Sequence, residues 1–286
     1  IDAYIIPTTD FHGSEYVNDY FKCREYVSGF TGSAGTLVVT ADEAALWTDG
    51  RYFLQAESEL SGSGIMLMRE GEPGVPEIIE WLRQKPAADG TKDAQAGKDA
   101  DNGIKTVGFD GRIVSAKFGA KLKGIFHVEA GLDLVNEIWS ERPELKPSKI
   151  YPLAPGVTGE SSESKLSRVR EEMRKAGAEA HIITSLEEIA WLFNLRGRDV
   201  LHTPVFYAFA LIESERARIY LLNEDEKVKS LFNDDIEIRP YTSIFDDLKT
   251  LKAGSLMYDE SRMSYGLSEA VRKKTKRIKC DDPAML

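Results

Sequence analysis

Short apolar runs separated by glycine-rich or polar segments cover most of the chain, and one stretch combines these signals most densely. A glycine-rich turn at residues 29–35 precedes an apolar run from Thr36 to Val39, and a second run covers Ala44 to Trp47. Short apolar runs bounded by glycine are typical of buried strands. The pattern therefore predicts a central hairpin, followed by a tight turn at Asp49-Gly50 and a helix from Arg51 to Leu60.

The other runs predict alternating strands and helices in both halves of the chain. Strands are predicted at Ala3–Pro7, Ile65–Met68, Thr106–Asp110, Phe126–Glu129, Ala180–Ile183, Val205–Ile212, Ala217–Leu222, Ile236–Ile238, Leu256–Asp259 and Arg277–Cys280. Helices are predicted at Val75–Arg83, Ser115–Leu122, Leu134–Trp139, Ser161–Gly177, Leu186–Phe193, Val228–Phe232, Ile244–Leu251 and Gly266–Arg272, with a turn at Leu195–Val200. Such mixing favours an α/β fold, in which helices cover the faces of a mixed sheet.

The order of these elements in the first half recurs in the second half. Ala3–Ile6 matches Ala180–Ile183, and Val107–Asp110 matches Leu256–Asp259. Self-similarity of this kind predicts two domains of one fold. The proline-bearing polar run Glu141–Pro147 separates the two copies, so we expect domains at residues 1–143 and 144–286.

Composition and charge narrow the functional classes. The composition, 42% hydrophobic and 29% charged, is typical of a globular protein. The length of 286 residues suggests two domains. The net charge of −10 argues against nucleic acid or an anionic membrane as a partner. Two cysteines far apart, Cys23 and Cys280, fit a reducing compartment. The segment Pro86–Gly103, rich in Ala, Asp, Gly and Lys, predicts a mobile surface loop.

A search for catalytic patterns predicts no catalytic residue and no metal site. The four histidines have neither an H-E-x-x-H pattern nor metal-ligand spacing, and no nucleophile elbow or Walker loop occurs. His127 and His181 fall in strand patterns, so we interpret them as structural. His202 lies in a loop and stays a functional candidate. The glycine-rich turn could cradle an anion, but it precedes a strand and lacks the Lys-Ser/Thr ending, which favours a structural turn.

Two arginines are further candidates, and their roles stay open. Arg51 follows a turn and precedes a helix, where its guanidinium could reach a carboxylate. Arg198 and Asp199 occupy a loop between apolar elements. Either arginine could serve only in a salt bridge or a helix cap, whereas loop residues on a rigid scaffold often carry function.

Two long motifs resemble the N-terminal region of the Xaa-Pro aminopeptidases (aminopeptidase P), which are grouped with the prolidases and creatinases. They are Tyr26–Thr36 with Leu46–Ala56, and Glu187–Gly197 with Asp199-Val200 and Pro204–Phe206. The resemblance covers essentially the whole chain. It implies two tandem creatinase N-terminal-like domains with a ribonuclease H-like motif. Lys85–Gly103 departs from the family pattern as an insertion.

The resemblance also implies what should lie outside this chain. Long members of the family continue into a pita-bread metallopeptidase domain, which would begin after residue 286. That domain binds two divalent metals, usually manganese, and removes an N-terminal residue that precedes proline. We therefore expect this chain to be a piece without cofactor and inactive alone, cut at both ends from a cytoplasmic, homodimeric hydrolase. Its partners would be the missing catalytic domain and peptides with proline second.

By position in the family, two loops should face the catalytic domain or that of a neighbouring subunit. There they would narrow the entrance to the metals, and Arg51 could bind the carboxylate side of a peptide. The residues of this expected substrate gate are Asp49, Arg51, Tyr52, Arg198, Asp199 and His202. Two alternatives remain: a non-enzymatic module that binds peptides or histones, and a creatinase or prolidase parent, against which the tandem repeat argues.

Overall fold

The chain folds into two six-stranded sheets of the same strand order and one two-stranded sheet, as seen in a computed structural model that describes residues 1–86, 103–223, 225–233 and 235–280. The first domain contains β1 (Ala3–Pro7), α1 (Cys23–Ser28), β2 (Thr36–Thr40), β3 (Ala44–Thr48), α2 (Phe53–Glu59), β4 (Ile65–Arg69), α3 (Ile78–Arg83), β5 (Thr106–Phe109), α4 (Ala116–Lys123), β6 (His127–Glu129) and α5 (Leu134–Ile138). The loop predicted at Pro86–Gly103 lies, except at its two ends, outside the described residues.

The second domain repeats this succession after a two-residue strand, a short helix and a long helix, and a further two-residue strand is inserted before its central hairpin. It contains β7 (Tyr151–Pro152), α6 (Pro155–Thr158), α7 (Ser162–Ala176), β8 (Ala180–Ile183), α8 (Leu186–Leu192), β9 (Leu195–Arg196), β10 (Ala208–Glu213), β11 (Ala217–Leu221), α9 (Glu226–Lys229), β12 (Ile236–Pro240), α10 (Ile244–Lys249), β13 (Ser255–Tyr258), α11 (Tyr265–Ala270) and β14 (Lys276–Lys279).

The two sheets confirm the repeat that the sequence predicts. Their strand orders are β4-β3-β2-β1-β5-β6 and β12-β11-β10-β8-β13-β14, so each strand has a counterpart at the same place. In both sheets the central hairpin is antiparallel to the first strand, and the outer pairs are parallel. Parallel pairs need crossovers, and the intervening helices supply them.

Alternation along the central strands builds a core on each face of the first sheet. Ile5 and Val38 belong to one apolar cluster, whereas their chain neighbours Ile6 and Leu37 belong to the other. Successive side chains of a strand point to opposite faces, so a sheet covered on both sides needs apolar residues at consecutive positions. This explains why these strands are continuous apolar runs.

The two domains meet through a central bridge, which comprises residues 111–117 and 260–266. Ser115 and Ser264, the N-cap residues of α4 and α11, pair as an antiparallel bridge. Ala116 N donates to Met263 O (2.8 Å) and Tyr265 N donates to Val114 O (2.7 Å). These two bonds are counterparts: the first domain donates in one, and the second domain donates in the other. The two repeats are thus related locally by a pseudo-twofold axis, as in an isologous dimer interface.

Close approach of the two helices reinforces the central bridge. Gly119 of α4 lies against the ring of Tyr265, where a Cβ atom would come within 2.3 Å of Cδ2. The ring also packs on Phe109 of the first domain, with centroids 5.5 Å apart. A side chain at position 119 would push the helices apart, so glycine is required there by packing.

His12 extends the contact between the domains into the second core. It is 1% exposed, and its ring lies 4.3 Å from that of Phe209. Nδ1 donates to the carbonyl of Thr184 (2.7 Å), and Nε2 accepts from the hydroxyl of Tyr241 (2.5 Å). Both ring nitrogens are therefore satisfied in the neutral form, and burial lowers the pKa of His12 to about 3.

Several local predictions differ from the structure. Residues Cys23–Ser28, for which we predicted no helix, form α1, which ends at Gly29 with φ +73°. Leu195–Arg196, predicted as a turn, forms β9 because it pairs with β7 of distant sequence. The strand predicted from Val205 begins only at Ala208. The reason is that the backbone N–H of Tyr207 donates a hydrogen bond to the Asp199 carboxylate and not to a neighbouring strand.

The buried His12 should make stability fall in acid. The pKa of an unfolded histidine is near 6.5, so between about pH 6.5 and 3 the unfolded chain binds more protons than the folded one. Stability from this group is complete above pH 6.5 and decreases as pH falls, by about 2 kcal/mol at pH 5. Urea unfolding against pH should therefore show a shallower slope for His12→Gln than for the unchanged protein.

Two features make this comparison specific. Burial raises the pKa of Asp10, which acts in the opposite direction, so only the difference between the variant and the unchanged protein isolates His12. His127→Gln, which replaces an exposed histidine on β6 that contacts Glu129 (2.9 Å), is the control, and His12→Gln should flatten the slope more than it does. Equal slopes for all three proteins would contradict the assignment.

Candidate functional site

A pocket of about 150 Å³ opens where the glycine-rich loop of the first domain meets a loop of the second. Its walls include Glu15, Tyr16 and Ser33 from the first domain, with Leu201 and His202 from the second. Junctions between domains are common places for ligand sites, although most such pockets exceed about 300 Å³. The size suits one side chain or one short stretch of an extended peptide. We refer to it as the interdomain pocket.

Gly32 lets two aromatic rings clamp the pocket wall. A Cβ atom at Gly32 would lie 2.3 Å from Cζ of Phe30 and 2.8 Å from Cδ1 of Tyr52, so no larger residue fits between the rings. The Tyr52 hydroxyl is 2.6 Å from Ser33 Oγ, which joins the loop to the turn before α2. Gly32 thus serves close packing.

The Asp49-Gly-Arg51 turn presents an ion-paired arginine beside this wall. Arg51 binds Asp49 in bidentate fashion, at 2.9 Å from Nε and 2.8 Å from Nη2, and its Nη1 lies 3.5 Å from Glu15. Its guanidinium also lies over the Tyr52 ring, at 5.3 Å from the centroid. The hydrogen bond from Arg51 lowers the pKa of Asp49, and the same bond raises the pKa of Arg51.

Of the three predicted gate residues in the loop of the second domain, two are exposed and one is buried. His202 is exposed and adopts φ +64°, a left-handed conformation unusual for a side chain with Cβ. Arg198 is exposed as well, and its backbone N–H donates to Ser148 Oγ (2.7 Å). Asp199 is only 4% exposed. Its carboxylate accepts from the backbone N–H groups of Ser148 (2.5 Å) and Tyr207 (2.7 Å).

The structure brings part of the predicted gate together. His202 lines the interdomain pocket directly, whereas Arg51 and Tyr52 reach it through Glu15 and Ser33. Arg198 and Asp199 lie at the base of the same loop, where the inward carboxylate of Asp199 anchors the backbone.

Sequence reasoning missed several members of the pocket. Tyr16 and Leu201 are 49% and 69% exposed, and both line it. Large apolar side chains within polar loop sequence were the available signal for these two. Glu15 and Ser33 carry no such signal, because only the folded chain brings them beside Arg51 and Tyr52.

The described residues contain neither a cluster of metal-ligating side chains nor a helix that could cross a membrane. No group of three or more His, Cys, Asp and Glu side chains is arranged to hold a metal ion there. Within the same residues, no helix has both the length and the apolar character that crossing a membrane requires.

Comparison with protein families finds one kind of domain twice. Residues 1–142 and residues 141–286 each match a creatinase/prolidase N-terminal domain. The two matches meet inside the polar run that separates the sheets.

Curated relatives carry peptidase names. Aminopeptidase P2 of Arabidopsis thaliana is 39% identical over 292 residues, which cover 97% of this chain and 39% of the relative. Xaa-Pro aminopeptidase 1 of Dictyostelium discoideum is 35% identical over 288 residues, which cover 95% of this chain and 43% of the relative. The chain thus spans about two fifths of the length of these relatives.

A solved structure matches both domains together. The X-prolyl aminopeptidase of Caenorhabditis elegans, described as a cytosolic enzyme with a di-nuclear active site, superimposes with a TM-score of 0.85 at 27% identity. The match covers 99% of this chain and 46% of the worm protein. The arrangement of the two domains is therefore shared with the worm enzyme.

Replacing Asp199 and replacing its neighbour Arg198 should change the free energy of unfolding by different amounts. Asp199→Ala leaves two backbone N–H groups without this acceptor, the buried one of Tyr207 and the partly buried one of Ser148. We therefore expect a loss of about 2–4 kcal/mol in the free energy of unfolding. Arg198→Ala removes an exposed side chain and should change it by less than about 0.5 kcal/mol. Urea unfolding of both variants measures the difference, and similar losses would refute the anchoring role of Asp199.

Proposed function

The chain belongs to the creatinase/prolidase N-terminal domain family, and on this premise we propose that it is the non-catalytic N-terminal region of a metal-dependent Xaa-Pro aminopeptidase. Such an enzyme removes an N-terminal residue that precedes proline. The names of the relatives and the close superposition on the worm enzyme support this assignment. The remaining length of the relatives leaves room for a catalytic domain in the whole protein.

Within that protein, the proposed role of this chain is to gate the substrate and to support dimerisation. The observation that carries the gate is the interdomain pocket, where His202 and the Arg51-Tyr52 turn converge from separate domains. On the side of the first domain, the ion pair of Arg51 with Asp49 and the packing of Tyr52 against Phe30 hold the rim in place. A rim in front of an active site admits the free end of an extended peptide and contacts the residues that follow.

The charges of the rim refine how Arg51 would act. Its guanidinium already binds Asp49 and approaches Glu15, so a peptide carboxylate would have to compete with two carboxylates. We therefore infer that Arg51 acts mainly as the ion-paired edge of the gate, stacked on Tyr52. Its free face and the pocket beside it would contact the backbone of longer peptides.

Other properties of the whole protein follow as proposals. We place its active site, with two divalent metal ions (manganese), in the catalytic domain, as the di-nuclear site of the worm enzyme suggests. A cytoplasmic location accords with the description of that enzyme as cytosolic. We place the domain boundary between residues 143 and 144, in the segment that links the two sheets.

The second candidate function is a non-enzymatic module that binds peptides or histones. The net charge of −10 favours it, because an acidic surface attracts basic partners. The sequence that follows residue 286 in the gene distinguishes the two candidates. Metal-ligand carboxylates and a histidine there support the enzyme, and their absence supports the binding module.

Removing the guanidinium at the rim should weaken the binding of long peptides in particular. In the whole protein, Arg51→Ala should raise KM for a nonapeptide with proline second by about fivefold more than KM for a tripeptide. The physical reason is that only the longer chain reaches the rim. Steady-state kinetics with both peptides provide the measurement.

Arg69→Ala is the matched control for this experiment. Arg69 is also exposed, pairs with a carboxylate (Glu57, 3.1 Å) and lies over an aromatic ring (Phe53, 5.7 Å). Unlike Glu15, the partner of Arg51, neither of these two partners lines the pocket. Its replacement should leave the ratio of the two KM values unchanged. The gate hypothesis fails if Arg51→Ala leaves that ratio unchanged too.

The isolated chain, residues 1–286, should be folded and inactive. We expect less than stoichiometric metal after dialysis against manganese, and no hydrolysis of a peptide that begins Arg-Pro-Pro. Elemental analysis and product detection by chromatography test this directly. Stoichiometric metal together with sustained turnover by the pure chain would overturn the non-catalytic assignment.

A further inference from the structure

Arg24 lies beneath the glycine-rich loop and is almost completely buried, with 3% of its surface exposed. Its Nε donates to Thr8 Oγ1 (2.6 Å), and one terminal nitrogen donates to Phe30 O (2.6 Å). The other terminal nitrogen donates to Gly32 O. The planar fork of a single side chain thus joins the end of β1 to two points along the loop.

The acceptors of Arg24 are neutral, which is unusual for a buried arginine. No described carboxylate lies within ion-pair distance of it, whereas Arg218, which is buried with 8% exposed, pairs with Glu213 (2.6 Å) and Asp247 (3.3 Å). Burial lowers the pKa of Arg24 to about 10, so the group is still charged at neutral pH. The Phe30 ring, 4.5 Å from the guanidinium carbon, offsets part of the cost of burying the charge.

The contacts of Arg24 lead directly to the rim of the interdomain pocket. Phe30 and Gly32 accept its hydrogen bonds, and Gly32 is enclosed by the rings of Phe30 and Tyr52. These rings meet edge to face, with centroids 6.1 Å apart. Tyr52 in turn supports Arg51 from below. A shift of the loop carbonyls would therefore move both residues of the rim.

We propose that Arg24 is the positioning residue of the substrate gate: its fork holds the glycine-rich loop in the one shape that places Tyr52 and Arg51 at the pocket. This inference rests on the proposed function. Arg24 and Thr8 are among the residues that line the pocket, and the role assigned to Arg24 is exerted through the loop carbonyls that it binds. Lysine cannot replace it, because one ammonium group on a flexible stem does not match three acceptors in a plane. An apolar residue would leave two loop carbonyls without a donor.

Kinetics of the whole protein with a tripeptide and a nonapeptide, each with proline second, test the proposal. Arg24→Ala and Arg24→Lys should each raise the ratio of nonapeptide KM to tripeptide KM by about fivefold. Methylguanidinium at tens of millimolar should restore the ratio for Arg24→Ala, because it can enter the space left by the side chain and bind the same acceptors. Arg218→Ala, which removes another buried arginine in the second domain, should lower stability without changing the ratio.

A milder variant covers the case in which replacing Arg24 prevents folding. Thr8→Val removes only the hydroxyl that accepts from Nε, and it should shift the ratio in the same direction by about twofold. An unchanged ratio in Arg24→Lys and Thr8→Val, or the same ratio in the Arg24 and Arg218 variants, overturns the positioning role. If Arg51→Ala changes the ratio while the Arg24 variants do not, only this inference fails. If Arg51→Ala changes nothing, the gate itself fails.

Discussion

The paired backbone hydrogen bonds of the central bridge are the contact on which the rest of the structure depends. They join the starts of α4 and α11, so each domain uses the same segment of its fold to bind the other. Backbone bonds fix distance and direction more strictly than side-chain packing does. The contact of Gly119 with Tyr265 and the insertion of His12 then add buried surface around that frame.

The interdomain pocket is a consequence of this frame. Its two walls come from loops nearly 170 positions apart in the chain, at Ser33 and His202, and they face each other only because the domains are held in one orientation. Each loop is rigid for its own reason. The first is held by Arg24 and two aromatic rings, and the second by the buried carboxylate of Asp199. A gate built from two such loops would keep its shape when a peptide arrives, which lowers the entropic cost of binding.

In the proposed enzyme, substrate selection and hydrolysis would take place in different domains. Arg51 is neutralised by Asp49 and approached by Glu15, so the rim offers shape and an aromatic surface more than an open positive charge. A metal site placed in another domain would then perform hydrolysis, while this chain selects which peptides reach it. Such separation lets length selection change by substitutions in loops without disturbing metal ligands.

The sequence alone determined the α/β class, the repeat and the family, because apolar periodicity, strand order and long motifs are local or serial properties. It identified His202, Arg51 and Tyr52 as candidates for the same reason. Tertiary structure decided what those residues do. Only the folded chain shows that Asp199 turns inward to bind the Ser148 and Tyr207 amides, and that His12 belongs to the core of the other domain. These facts depend on contacts between distant segments, and such contacts follow from packing and burial, which no local pattern in the chain encodes.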